Sequence, residues 1–412
     1  MRSLVQSAGY GVAPSLVALC GMRFSAAATL LLALALISCT SDDPPDAAVP
    51  TDASHDALTA PRDGATLDAA QPDAAGDDAG SSLDAGAPRR TFVYVGLSNG
   101  NLLTLDGRTL AELSRTDTGN FPEFVTATAD GAHLYAVQGS DNEVIALSVA
   151  TDGTTRVVSR QAAPGGPTHL SIDHEARFVF TASYGSGEIG VYPIAADGTL
   201  GARVFTEVAG RNAHAIVVDA LAEHVYVPCL GIDRVVGYTL DTRTGQLTRV
   251  GESAGNGDGP RHMALSPSGS RAYVVDELSS EIDVFDVLGT GRLTRLSTVP
   301  TLPASFTGGN TGAEILITRD GRHVYSSNRG HDSVAVFATT ADSLTLVEHE
   351  PTDGGHPRSM GLSVDERRLY VANRDSENIA VFDVDADSGA LTYVRTRSVD
   401  AQPYFVGDFV AP

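Results

Sequence analysis

Gly259-Pro260-Arg261-His262 leads into a short run, Tyr273-Val274-Val275-Asp276-Glu277 opens a second, and Glu281-Ile282-Asp283-Val284-Phe285 forms a third; Gly291-Arg292-Leu293 then starts a fourth. Short alternating runs separated by turn residues read as antiparallel strands. Working outward, the same unit recurs along the chain. The aromatic that opens the second run returns as Tyr94, Tyr135, Phe180, Tyr226, Tyr273, Tyr325 and Tyr370, at spacings of 41, 45, 46, 47, 52 and 45 residues. The turn residue before the first run returns as Pro122, Pro167, Asn212, Pro260, Gly312, Pro357 and Pro403. The third run has counterparts in Glu188–Tyr192, Ser333–Phe337 and Asn378–Phe382, and the fourth follows Gly turns at Gly198, Gly245 and Gly389 as well as Gly291.

Four short strands per unit of about 45 residues is the sequence form of a propeller blade. The ends of the array agree. Thr91 to Val95 is a second-strand sequence with no first strand before it, and Pro403 to Phe409 is a lone first strand. Pairing the last strand with the first three completes a seventh blade and removes the open edges. The expected fold is all-β: a seven-bladed β-propeller with four-stranded blades over residues 91–412, preceded by a signal peptide and a disordered linker.

Those leading segments are expected from composition. Met22-Arg23, an apolar run from Ala26 to Ile37 and the closing Leu36-Ile37-Ser38-Cys39 have the charged start, short core and small-residue end of a secretory signal. Cys39 in this setting resembles the acylated Cys of a bacterial lipobox, so residues 1–39 read as a lipoprotein signal and Cys39 as the lipid anchor. Residues 40–90 are mostly Asp, Ala, Pro, Gly and Ser, too poor in large apolar side chains to offset the entropy of ordering. The expected location is an exported lipoprotein, facing the periplasm or on the outer membrane, touching the membrane through the lipid alone. A formal net charge of −23 excludes a phosphate-backbone partner, so no nucleic acid is expected. With Cys20 removed and Cys39 lipidated, Cys229 stands alone and reads as a buried structural thiol.

The first strand's start and the second strand's end meet at one mouth of the channel. There the units carry Glu123, Thr168-His169, Ala213-His214, Arg261-His262, Glu314, Arg358 and Tyr404, with Tyr184, Asp276-Glu277, Asn328-Arg329 and Asn373-Arg374. Taken singly, His169 reads as a structural hydrogen-bonder and Arg261 with Glu277 as a salt bridge. Their convergence is what argues for chemistry, because Arg forks suit oxyanions and His or Glu can move protons.

Gly259-Pro260-Arg261-His262, Tyr273 to Ser280 and Ser327-Asn328-Arg329-Gly330-His331-Asp332-Ser333 resemble the lactonase family of seven-bladed propellers, which includes propeller-type 6-phosphogluconolactonase and carboxymuconate lactonizing enzyme. The resemblance implies a lactone hydrolase acting on a small-molecule lactone. It implies catalytic His214, Arg261, Glu277 and Arg329, with substrate-binding residues at His169, His262, Arg358 and Asn328. No cofactor and no metal are expected. Where this chain has Asp276 the family usually has Asn. A second reading is a non-catalytic cell-envelope propeller displayed on a tether, in which the Arg and Glu side chains form static salt bridges with no accessible cleft between them.

Overall fold

The structure is a computed structural model that describes residues 90–412. The signal segment with Cys39, and all but the last residue of the linker expected over 40–90, lie outside the described residues. Seven four-stranded antiparallel sheets form the fold, and one 3-10 turn, Leu230–Ile232, is the helical element among the described residues. No helix among them is long and apolar enough to cross a membrane.

Strand Pro403–Val410 pairs with Thr91–Leu97 and thereby completes the sheet that continues through Asn101–Asp106 and Glu112–Asp117. Without it, Thr91–Leu97 would present a bare edge. Seven apolar clusters hold the ring, one between each pair of neighbouring blades. The cluster at the closure joins Val93, Val95 and Leu103 of the first sheet to Tyr370, Ile379 and Val381 of the last.

The recurring Tyr now has a physical reason. Its ring is buried between blades, and in several blades its hydroxyl crosses to a carbonyl in a turn of the next. Tyr135 donates to Gly198 O at 3.1 Å, Tyr325 to Gly389 O at 2.9 Å and Tyr370 to Gly107 O at 3.1 Å. Apolar burial and a satisfied polar tip occur in one side chain.

Two blades depart from the expected rhythm, both beside a proline. The first strand expected after Asn212 is reduced to Val217–Val218 and a single bridge between Ala213 and Cys229. It faces Pro228, which accepts from His214 N–H at 2.9 Å but has no N–H to return. The strand expected directly after Gly198 begins instead at Phe205 and ends at Val208. Its partner strand ends on Pro193, so the ladder lapses into one bridge between Ile194 and Leu200 before resuming. Cys229 is buried and unbridged, and burial pushes its thiol up to about 12.

Tyr325→Phe keeps the ring and deletes one buried donor, leaving Gly389 O without it. The expected loss is about 1–2 kcal/mol, seen as a lower urea midpoint with an unchanged denaturant slope.

Candidate active site

In five blades the pairing of first and second strands slips at the same place, just after the turn residue. The slips fall between Pro167 and His169, Pro260 and His262, Gly312 and Ile315, Pro357 and Ser359, and opposite Gly96 and Leu97, where Tyr404 is skipped. A bulge re-aims the extra side chain out of the ladder. Here the extra residues include Thr168, Arg261, Glu314, Arg358 and Tyr404. All of these line one small recess, together with Glu123, Phe124, His262 and Ser359. A repeated backbone irregularity thus builds the site, one or two side chains per blade.

Arg261 is 2% exposed. Its Nη1 donates to Ala313 O at 2.5 Å, and its Nε lies 3.1 Å from Glu277 Oε2, an ion pair in which the N–H is not aimed at the oxygen. Its Nη2 has no partner among the described residues and is not sealed from solvent by them. Burial lowers the guanidinium to about 9, with Arg329 and Arg358 adding repulsion, so it remains charged at neutral pH. Glu277 is a bridge: its other oxygen, Oε1, lies 3.1 Å from Arg329 Nη2, which also donates to Gly312 O at 2.9 Å. Arg358 lies 3.5 Å from Glu123 Oε2, with its guanidinium carbon 4.9 Å from the Tyr404 ring centre.

Beside this charged group sits a stack of imidazoles. The His262 ring lies 5.0 Å from His169 and 5.2 Å from His214, both edge-to-face, and Phe124 covers His169 at 4.1 Å. Burial holds all three His well below the ordinary imidazole value, so they are neutral at pH 7. His169 Nδ1 accepts from Ile216 N–H at 3.3 Å, which puts its own proton on Nε2. His262 Nδ1 lies 2.7 Å from Glu314 Oε1. Glu314 is 5% exposed, and burial raises its carboxyl to about 7. Among the described residues no three His, Cys, Asp or Glu side chains converge as a metal ion requires.

The structure therefore gathers Arg261, His262 and Arg358 on the recess, and packs His169 and His214 against His262. Glu277 and Arg329 join them through the ion-pair chain. The static salt bridges of the second reading are present, and Arg261 at one end of them also lines the recess. Asn328 goes elsewhere. Its Nδ2 donates to Thr301 O at 2.9 Å and its Oδ1 accepts from Thr301 Oγ1 at 2.7 Å, a clasp to the preceding blade. Gln138 and Asn373, also three residues after a marker Tyr, make the same tie to Thr118 O and Thr352 O. Glu314, Glu123 and Tyr404 belong to the site but received no role from the sequence. Their position just after the turn residue was the available signal.

A model of the family described as "Lactonase, 7-bladed beta-propeller" matches residues 98–407. The 6-phosphogluconolactonase of Pectobacterium carotovorum is 36% identical over 227 residues, covering 54% of this chain and 68% of the relative. That of Bacillus subtilis is 35% identical over 256 residues, covering 58% and 72%. Among solved structures, the periplasmic gluconolactonase of Pseudomonas aeruginosa superposes with a TM-score of 0.70 at 26% identity, covering 78% of this chain and all of the neighbour.

Asp276 occupies the clasp position without an N–H to offer. It is 1% exposed, its Oδ2 lacks a partner, and burial with Asp283 and Glu281 nearby raises it to about 9. The folded state thus keeps a proton that the unfolded chain loses near pH 4, so stability falls as pH rises between those two values. Asp276→Asn restores a donor and removes the penalty. Its melting temperature is expected to exceed that of the wild type, by more at pH 8.5 than at pH 5.5. An equal gain at both pH values would refute the assignment.

Proposed function

Because this chain belongs to the lactonase family of seven-bladed β-propellers, we propose that its recess opens a lactone ring by water attack at the carbonyl and releases the hydroxy acid. One observation carries the reading: Arg261 is buried, charged and held at two points, yet keeps Nη2 free in a recess that also presents carboxyl groups. A fixed cation of this kind stabilises the oxyanion that develops on the attacked carbonyl, and being pre-oriented it costs no reorganisation during reaction. Glu277 and Arg329 hold Arg261 in place through the ion-pair chain. Arg358 offers a second guanidinium for a carboxylate or phosphate carried by the substrate. His169 and His214 wall the site as neutral groups beneath it.

Relatives at 35% and 36% identity are named as lactone hydrolases, which does not favour the non-catalytic envelope propeller. The solved neighbour is named as periplasmic. That supports an exported protein that meets its substrate outside the cytosol; its attachment to the periplasmic or outer-membrane surface by a lipid on Cys39 rests on the lipobox-like sequence. A sugar lactone without phosphate is the substrate class that suits this location.

Acid release at constant pH, corrected for spontaneous opening, tests the reading on gluconolactone and its 6-phosphate. Turnover is expected on the unphosphorylated lactone. Arg261→Ala should lower kcat/KM by about 10²–10³, the usual cost of one oxyanion donor. Unchanged turnover in that variant would remove Arg261 from the mechanism.

A further inference from the structure

We propose that Glu314, and not Glu277 or His214, is the group that moves the proton in lactone opening, with His262 as its positioning residue; this rests on the lactonase reading above. The geometry separates the candidates. Both Glu277 oxygens are engaged by guanidiniums, at 3.1 Å each. His214 Nδ1 is sealed from solvent with no partner, and His214 does not line the recess. His262 Nε2 is likewise sealed. Glu123 is tied to Arg358.

Glu314 differs from Glu277 and His214 in presenting a free oxygen on the recess, and from Glu123, whose Oε1 is also free, in having its other oxygen fixed by two hydrogen bonds rather than a single one at 3.5 Å. Its Oε1 is fixed by His262 Nδ1 at 2.7 Å and by Ile315 N–H at 3.2 Å. Its Oε2 has no partner among the described residues, is not sealed from solvent by them, and belongs to a residue that lines the recess. Arg261, whose Nη2 is also free, lines the same recess and reaches across to the backbone O of Ala313, the residue before Glu314. One carboxyl oxygen is thus anchored and the other is presented, next to the cation that would take the oxyanion. The charged and titratable groups facing Glu314 are His262 and Arg261 on its neighbouring strand, His169 across the channel, and Arg358 and Glu123 on the recess wall. Burial sets its carboxyl to about 7, where both protonation states are available at neutral pH.

Water adds to the carbonyl carbon while its proton passes to Glu314 Oε2, and the C=O π pair moves onto the oxygen facing Arg261. The tetrahedral species collapses by breaking the bond to the ring oxygen, which takes the proton back from Glu314. The product is the open hydroxy acid, whose carboxyl proton goes to solvent. Glu314 ends as it began, and no other reactant is consumed.

The test uses the full-length protein with gluconolactone. In the wild type, kcat/KM should rise with pH through a midpoint near 7. Glu314→Gln keeps the acceptor for His262 and Ile315, so it should fold with an unaltered melting profile. It should lower kcat by about 10²–10⁴ with little change in KM, and abolish the pH-dependent rise. His262→Phe removes the donor that stabilises the carboxylate, so the midpoint should move up, and His262→Asn should move it back. Glu314→Gln with wild-type kcat and the same pH profile overturns the proposal and leaves the lactonase reading standing. If Gln fails to fold, Glu314→Asp gives the same decision: reduced kcat at kept KM supports the proposal, and unchanged kcat overturns it. Wild type without turnover above spontaneous opening defeats the lactonase reading, and this proposal with it.

Discussion

The site depends on one piece of pairing, between Pro403–Val410 and Thr91–Leu97. That ladder closes a ring whose blades otherwise meet through apolar clusters and side-chain ties such as the Tyr hydroxyls and amide clasps. Closure also delivers side chains. Tyr404 is skipped in this ladder and reaches the recess, where it meets Phe121 at 4.7 Å and Arg358 at 4.9 Å. Phe405, its neighbour, packs on Phe124 at 5.1 Å and so joins the closing strand to the wall beneath the imidazoles. The same contacts hold the fold shut and shape the floor of the site.

Convergence of the inner strands sets the chemistry. Residues from different blades meet at the channel mouth, so polar groups there are stripped of water by one another. Desolvation raises Glu314 to about 7 and lowers Arg261 to about 9, while the imidazoles are held neutral. Burying a charge without a partner is expensive, and the structure answers with the chain Arg261–Glu277–Arg329. Stability has been given up elsewhere too: Asp276 stands where Gln138, Asn328 and Asn373 bond the preceding blade through an amide.

Much of this was legible in the sequence. The aromatic and turn markers gave the number of blades, because each marks a place where geometry repeats: a ring packed between blades, and a chain entering the channel. Closure followed from the unmatched strands at the two ends. Arg261, His262 and Arg358 were legible because each follows a turn residue. Asn328 was misplaced because it sits beside Arg329. Successive residues on a strand face opposite ways, so one bonds the preceding blade while the other joins the ion-pair chain. The weak strand before Tyr226 and the late one after Gly198 were hidden by Pro228 and Pro193, whose missing N–H groups act on a partner strand. Glu314 was visible as a position but not as a proton carrier. That role depends on which of its two oxygens the fold leaves free, and pairing register decides this, not composition.

The most direct measurement is a crystal structure of the protein soaked with the hydroxy acid, gluconate, that lactone opening would release. The account predicts density in the recess, with the product carboxylate on Arg261 Nη2 and within hydrogen-bond distance of Glu314 Oε2. Product bound at another face of the ring, or seated in the recess with its carboxylate away from both groups, would contradict it.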